Sequence, residues 1–318
     1  MNYTSTKEFF AAASRHIEKG PIALIFAEDQ VETLSSIAYH AKLGFKAVIA
    51  FGKSLPELPE HLEHLCVTVK VDLYREARPV ELINQVSARV PKEWVYYCFN
   101  SEYLFYPFME SRSVVEMLAF HAEERRDAML TYVIDLYSKD LEKFPNAVAL
   151  DQAYFDRAGQ YALARWDPNT NSNKDRQLNI FGGLRWRFEE YLPYEKRRID
   201  RISIFRAQPE NILKEDFTFT EEEYNTYSCP WHHNLTAAIV SFRTAKALRY
   251  NRGSKHDIEA FHWHNSIPFA WSSKQLLDLG LIESGQWFYW VSPDPSLRLS
   301  QGKDGKNMSA FCASRKDA

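Results

Sequence analysis

Polar and acidic side chains directly follow three apolar segments in the first half of the chain. The segments span residues 22–27, 46–51 and 94–99, and the residues after them are Glu28 and Asp29, Gly52, and Asn100, Ser101 and Glu102. In an open parallel sheet, ligands bind in the crevice outside the carboxyl ends of the strands. We therefore expect these six residues to line one common cleft and to bind a polar ligand there.

A structural role is the alternative for Glu28 and Asp29, because acidic side chains in the first turn of a helix interact favourably with its dipole. The same alternative is weaker for Glu102. The sequence Asn-Ser-Glu lies between two aromatic stretches, and no helical pattern begins there. The sequence favours a functional role at this position.

Arginines form a second group of candidates, in the segment GGLRWRFEEYLPYEKRRIDRISIF. Arg185 and Arg187 alternate with aromatic residues, a spacing that predicts a strand with both guanidiniums on one face. The preceding pair Gly182–Gly183 allows a tight turn or a close backbone approach. Guanidinium groups suit bidentate contact with phosphate, and Arg201 is a third candidate. The alternative is a solvated face whose basic charges are neutralised by neighbouring glutamates.

Two adjacent histidines could bind a metal or a phosphate. Because neighbouring residues of a helix or strand face different directions, at most one of His232 and His233 is expected to be functional, and we assign that role to His233. His262 and His264 are a similar pair for which a structural role is favoured. The chain has no G-x-G-x-x-G, P-loop or G-x-S-x-G motif, which argues against the enzyme classes that use them.

Alternating strand and helix patterns organise the first half of the chain. Apolar runs separated by helical spacings predict a mostly parallel sheet, and residues 166–179 are polar and predict a long surface loop. The predicted strands span residues 22–27, 46–51, 65–71, 94–99 and 128–136, and the predicted helices follow the first strand and lie around 79–90 and 112–122.

The composition is that of a soluble globular protein. The formal net charge of −3 provides no field that would recruit nucleic acid. The 4 cysteines contain no C-x-x-C pair, the N-terminus has no apolar signal region, and no apolar run is long enough to be a transmembrane segment. These features predict a cytoplasmic location.

The order of these segments resembles that of bacterial family 2 glycosyltransferases. In that family an apolar strand runs into an acidic turn and a helix that closes with Leu-Gly. A later strand carries an Asp-x-Asp-Glu metal motif, and Gly-Gly-x-Arg-x-Arg, a His-containing turn and Leu-Gly-Leu follow. The similar segments here are IALIFAEDQVETLSSIAYHAKLGFKAVIAFG, WVYYCFNSEYLFYP, ALDQAYFDRAGQY, GGLRWRF, SCPWHHNL and SSKQLLDLGLIESG.

The resemblance implies an α/β protein of the GT-A (nucleotide-diphospho-sugar transferase-like) type, a mostly parallel sheet with helices on both faces. It implies one domain over residues 1–298, with a nucleotide-binding half at about 20–136 and an acceptor half at about 137–298. Residues 299–318 are expected to be a polar tail. The implied activity is transfer of a sugar from a nucleotide-sugar to a carbohydrate or lipid-linked acceptor, in surface polysaccharide or glycan synthesis.

The metal motif departs from the family pattern. Aligning Glu102 with the family's glutamate puts Phe99 and Ser101 where two metal-binding aspartates usually stand. A manganese or magnesium ion is usual in the family, but hard cations require oxygen ligands and phenylalanine has none. Two interpretations remain open. One is a metal-independent enzyme in which Arg185, Arg187 or Arg201 neutralises the leaving diphosphate. The other is a catalytically inactive relative that binds a glycan or a protein.

The resemblance also suggests where a base would lie. An inverting transfer requires a general base that deprotonates the acceptor hydroxyl. Asp156 is the first candidate and Asp151 the second, because both lie in the segment that resembles the stretch ahead of the acceptor region. The alternative is that both are carboxylates of a helix start or a loop.

Overall fold

The apolar segments of the first half form a parallel sheet. The structure is a computed structural model that describes residues 1–12, 17 and 19–287. A short strand β1 (Asn2–Tyr3) lies beside a set formed by β2 (Ile22–Ala27), β3 (Ala47–Gly52), β4 (Cys66–Lys70) and β5 (Trp94–Phe99), and neighbouring strands are all parallel. Their runs are almost continuously buried, as is usual for parallel sheets covered on both faces. The predicted strands are confirmed.

Helices cover both faces of this sheet. Helices α1 (Thr6–Ala12) and α3 (Pro79–Ser87) pack on one face, and α2 (Thr33–Lys42) and α4 (Val114–Glu123) pack on the other. The three predicted helices are confirmed, and Gly44 follows the first of them with a φ of 94°, a conformation that favours glycine after a helix.

The second half of the chain extends the same sheet beyond β5. Strands β6 (Glu102–Phe105), β7 (Ala128–Ser138), β11 (Asp200–Arg206) and β12 (Ala237–Ser241) complete the order β1-β4-β3-β2-β5-β11-β7-β12-β6. Because β11 is antiparallel to both β5 and β7, and β12 is parallel to β7, the strands β2, β5, β7 and β12 all point the same way. The sequence analysis predicts β7 but neither β11 nor β12.

The remaining strands and helices of the second half pack around this extended sheet. Strand β8 (Ala153–Asp156) pairs with β7 and with β13 (Ser266–Pro268). Helices α6 (Arg243–Tyr250) and α7 (Ser273–Asp278) follow β12 and β13. Both predicted halves therefore contribute to one sheet, and the predicted tail at 299–318 lies outside the described residues.

The predicted surface loop at 166–179 is a β-hairpin. Strands β9 (Tyr161–Asp167) and β10 (Ser172–Phe181) pair antiparallel in a separate two-stranded sheet, and only the short connection between them is a turn. Many of its side chains are exposed, so the polar composition reflects an exposed ribbon rather than irregular backbone. The composition alone does not distinguish the two, because both leave these side chains in water.

The strand predicted for Arg185 and Arg187 is wrong. Both residues lie in the short helix α5 (Gly183–Arg187), which begins at a glycine with a φ of 61°. That backbone conformation turns the chain out of β10, and Leu184 is buried beneath the helix. The two guanidiniums therefore point to different partners instead of sharing one face.

Gly52 is a packing position between two strands. A Cβ built there would lie 2.9 Å from both the Cβ and the carbonyl oxygen of Ala27 on the neighbouring strand. We expect Gly52→Ala to reduce the free energy of unfolding in urea by about 1–3 kcal/mol, because a methyl group cannot enter without separating the strands. Gly253→Ala is the matched control and should change it by less than about 0.5 kcal/mol. Equal losses for both variants would contradict this packing role.

Candidate functional site

The strand order creates a switch point between β2 and β5. From β2 the chain proceeds outward to β3 and β4, and then returns to β5 on the other side of β2. In open α/β sheets, ligands bind outside the carboxyl ends of the strands at this kind of switch point. The segments that follow β2, β5 and β12 meet here, and they carry a cluster of charged and amide side chains.

Asn100 and Ser101 hold the end of β5 against the turn after β2. The Asn100 side chain accepts a hydrogen bond from the Glu28 backbone N–H at 3.0 Å and donates to Asp29 Oδ1 at 2.6 Å. The Ser101 hydroxyl donates to the Val31 carbonyl at 2.8 Å, and Ser101 has a φ of 63°. Both side chains are buried. They shape the site, and their polar atoms are already used within the protein.

Arg243 forms the most direct contact with Glu28. Its Nε and Nη2 atoms donate to the two carboxylate oxygens of Glu28 at 2.6 Å each, and its Cζ atom lies 3.6 Å from the centre of the Phe99 ring. Burial alone would lower the pKa of Arg243, but the carboxylates of Glu28 and Glu102 raise it. The guanidinium is thus a permanently charged group held between a carboxylate and an aromatic face.

Lys246 pairs with Asp29 one turn later on the same helix. Its Nζ atom lies 2.8 and 3.0 Å from the two carboxylate oxygens of Asp29, and its side chain is only 4% exposed. Burial lowers the pKa of Lys246, and Asp29 opposes that shift. Asp29 and Glu28 keep part of their side chains in contact with solvent, so solvent reaches the carboxylate side of both pairs.

Glu102 and Arg201 form a fully enclosed ion pair beneath this group. Arg201 Nη2 donates to Glu102 at 2.7 Å, and the Phe99 N–H and the Ser241 hydroxyl also donate to the Glu102 carboxylate, at 2.9 and 3.0 Å. Burial alone would raise the pKa of Glu102, but the charges of Arg201 and Arg243 outweigh it, and the pKa lies below its usual value. The pair joins β6 to β11, and it is too deeply buried to contact a ligand.

The other predicted arginines do not contact Glu102. Arg185 donates to the Arg198 carbonyl at 2.7 Å and to the Thr244 hydroxyl at 3.1 Å, and its Nε lies 3.4 Å from Asp135 Oδ1. Arg187 instead pairs with Asp156 at 3.2 Å. Both side chains are largely buried, so the interpretation as a solvated charged face does not describe them.

The two candidate bases occupy different environments. Asp156 is buried at the end of β8, where it accepts hydrogen bonds from Tyr137, from the Trp263 indole at 2.7 Å and from Arg187. Asp151 is exposed and lines an open cleft of about 1130 Å³ beside β8. The charged cluster at the switch point does not line this cleft.

His233 lies at the opposite end of β12 from the charged cluster. It precedes the strand, pairs with Ser228 in an isolated bridge, and stacks on Tyr227 with ring centroids 5.9 Å apart. The cluster lies beyond Ser241 at the other end of the strand, so the structure does not bring His233 to it. Its neighbour His232 contacts Glu124.

Sequence analysis missed Arg243 and Lys246. The sequence does contain a signal for Arg243. The apolar run AAIVSF is followed directly by Arg243, just as the predicted strands are followed by polar residues. The three-residue spacing then puts Lys246 on the same helix face. Asp135 was also missed, since a single acid inside the run VIDLY gives no periodic signal.

Comparison with models of known protein families and with curated proteins finds no match. Within residues 1–12, 17 and 19–287, no group of three or more histidine, cysteine or acidic side chains could hold a metal ion. In the same part of the chain, no helix has the length and apolar character needed to span a membrane.

We expect a variant of the buried pair of Glu102 and Arg201 to lose much more stability than a variant of an exposed ion pair. Arg201→Met leaves a buried carboxylate without its partner, and we expect a loss of about 3–5 kcal/mol in the free energy of unfolding. The exposed pair of Arg78 and Glu81 is the control, and Arg78→Met should cost less than about 1 kcal/mol. Similar losses in urea titrations of the two variants would show that the buried pair has no special role.

The same pair predicts a pH dependence. The folded pKa of Glu102 is depressed, so its contribution is fully present above the unfolded value of about 4.3 and is lost as the pH falls through the folded pKa. Glu102→Gln should therefore show a weaker loss of stability than the wild type between pH 5 and pH 2, roughly the range of such a titration. Parallel pH profiles of the two proteins would contradict the assignment.

Proposed function

We propose that this chain transfers a sugar from a nucleotide-sugar to a carbohydrate or lipid-linked acceptor, with the donor bound at the switch point of the sheet. One observation carries the proposal. Arg243 and Lys246 lie on one helix at this crevice, and each is paired with a carboxylate that is partly open to solvent. Paired cations at a switch point are suited to a diphosphate group, which carries several negative charges.

The residues that align with the metal motif do not suit a divalent cation. Phe99 has no donor atom, the Ser101 hydroxyl is bound to the Val31 carbonyl, and Glu102 is enclosed with Arg201. The Phe99 ring instead supports the Arg243 guanidinium at 3.6 Å. We therefore assign the neutralisation of the diphosphate to Arg243 and Lys246, in place of the arginines favoured by the sequence.

Donor binding would require the two ion pairs to exchange partners. The phosphate oxygens would take the guanidinium and ammonium hydrogen bonds that Glu28 and Asp29 now receive. The released carboxylates could then accept hydrogen bonds from ribose or sugar hydroxyls. The exposed ring of Tyr74, whose hydroxyl lies 3.4 Å from Glu28 Oε1, offers a face for the nucleobase.

An acceptor oxygen attacks the anomeric carbon of the sugar, and the bond from that carbon to the phosphate oxygen breaks. The electron pair leaves with the diphosphate, where fixed cations in a partly dry site stabilise the developing charge. A carboxylate base takes the proton of the acceptor hydroxyl.

A second candidate function is suggested because every carboxylate of the cluster already has a cationic partner within the protein. Glu28, Asp29 and Glu102 each have an internal cationic partner. A protein that has lost catalysis could keep these pairs for stability and bind a glycan or a partner protein. Binding of nucleotide diphosphates that depends on Arg243 separates the two functions, because only the transferase requires it.

We expect manganese to add little to nucleotide affinity. Calorimetric titration of UDP and GDP, with and without manganese chloride, should give dissociation constants that agree within threefold for the nucleotide that binds, because Arg243 and Lys246 supply the positive charge. A tenfold or larger gain, about 1.4 kcal/mol, would mean that other residues hold the ion and that the cationic assignment is wrong.

Variants of the two cations give the direct test. Removing one charge-assisted contact to phosphate should weaken binding roughly tenfold to a hundredfold, about 1.5–3 kcal/mol. We therefore expect Arg243→Met and Lys246→Met to weaken UDP or GDP binding by this amount. Arg243→Lys should recover only part of the loss, because lysine cannot form the bidentate contact. Lys274→Met removes an exposed lysine and is the control. Unchanged binding in Arg243→Met, with the thermal unfolding of the variant intact, would contradict the proposal.

A further inference from the structure

Asp135 is a buried carboxyl group whose neighbouring donors, the Thr244 hydroxyl and the Arg185 backbone N–H, are not in good hydrogen-bonding geometry with it. It lies within β7, its side chain is 0% exposed, and neither carboxylate oxygen accepts a hydrogen bond of normal geometry. The nearest cation is Arg185, whose Nε lies 3.4 Å from Oδ1. Most buried polar groups in proteins are hydrogen-bonded, so an exception of this kind needs an explanation.

The position of Asp135 in the sheet brings it to the proposed donor site. It pairs in register with Ser241, the last residue of β12, and the Ser241 hydroxyl donates to Glu102. Thr244, which follows Arg243 directly, lies next to the same carboxyl group and shares Arg185 with it. Asp135 is therefore at the carboxyl end of the sheet, one strand away from the charged cluster.

Gly183 packs directly against the Asp135 carboxyl group. A Cβ built on Gly183 would lie 3.0 Å from Asp135 Oδ2, and Gly183 has a φ of 61°. Gly183 is itself partly exposed. Gly183 thus packs against this oxygen at the turn where β10 passes into α5. Access of a ligand to the carboxyl group requires this turn to move.

Burial favours the neutral form of Asp135 more strongly than the neighbouring donors, including the Arg185 backbone N–H, favour the ionised form. Burial raises the pKa of Asp135, the guanidinium of Arg185 and the hydroxyl of Thr244 oppose that shift, and the carboxylate of Asp156 adds to it. A carboxyl group with a raised pKa is a stronger base when it is ionised and exchanges protons nearer to neutral pH. Asp156 differs, because Arg187, Tyr137 and Trp263 already occupy its oxygens.

We propose that Asp135 is the general base of the sugar transfer, reached by the acceptor when the turn at Gly183 moves aside. This inference rests on the proposed function. The acceptor oxygen bonds to the anomeric carbon, the carbon–oxygen bond to the diphosphate breaks with its electron pair, and the acceptor proton moves to the Asp135 carboxylate. Asp156 then positions Arg187 and Tyr137 and takes no proton.

Access to Asp135 can be measured without any activity. A carbodiimide with glycine ethyl ester modifies protonated carboxyl groups, and peptide mass spectrometry locates the product in the full chain. We expect modification of Asp135 at mildly acidic pH, with exposed Asp151 as the positive reference and enclosed Asp156 unmodified. An Asp135 that stays unmodified, both alone and with UDP, would overturn the proposal.

Asp135→Asn gives the catalytic test. With UDP-glucose, UDP-N-acetylglucosamine and GDP-mannose as donors, the variant should lose at least a hundredfold in hydrolysis or transfer and lose the acid limb of the kcat/KM pH profile, while its UDP or GDP affinity stays within twofold. Its thermal unfolding at pH 7 should match or exceed that of the wild type, because the amide carries no buried charge.

The outcomes separate the two claims. Wild-type protein that binds none of these nucleotides contradicts the proposed function. Wild-type protein that binds and turns over a donor, with Asp135→Asn equally active and its pH profile unchanged, leaves the transferase intact and removes Asp135 as the base.

Discussion

The burial of charge at one end of the sheet is the constraint on which the rest of the site depends. Charged side chains can be removed from water only when a partner of opposite charge and further hydrogen bonds replace the lost hydration. Glu102 has Arg201, the Phe99 N–H and the Ser241 hydroxyl around it. This group ties β5, β6, β11 and β12 together, and it brings chain segments that are distant in sequence to one end of the sheet.

The open ion pairs are built on this enclosed one. The turn after β5, fixed by Asn100 and Ser101, sets the positions of Glu28 and Asp29. Helix α6, which follows strand β12, then supplies Arg243 and Lys246. The enclosed pair is suited to stability and the open pairs to ligand exchange, because solvent reaches only the latter. Asp135 is the exception, a buried acid with a weak partner, and such groups are frequent at functional sites.

The sequence was sufficient for the parts of the fold that depend on local pattern. Continuous apolar runs identified β2, β3, β4, β5 and β7, and helical spacing identified the helices between them. The sequence was insufficient where tertiary contacts decide the outcome. Strand β11 contains Asp200, Arg201 and Arg206. Each has a partner far away in the chain, although Asp200 also pairs with the nearby Arg198. Helix α5 depends on the backbone at Gly183, which alternating Arg and Trp residues do not reveal.

The candidate site was likewise only partly predictable from the sequence. The polar residues after β2 and β5 could be found because strand ends meet at one edge of a sheet, a rule that needs no coordinates. Arg243 obeys the same rule, but β12 was not identified as a strand. The partners of each carboxylate could not be found from sequence, because a pairing such as Glu28 with Arg243 joins residues that are 215 positions apart.

A crystal structure with UDP or GDP bound would test the central claim most directly. The account predicts that the diphosphate lies at the carboxyl ends of β2 and β5, with its oxygens within hydrogen-bonding distance of the Arg243 guanidinium and the Lys246 ammonium, and with Glu28 turned away from Arg243. A nucleotide bound in the cleft beside Asp151, with the pair of Glu28 and Arg243 unchanged, would contradict it.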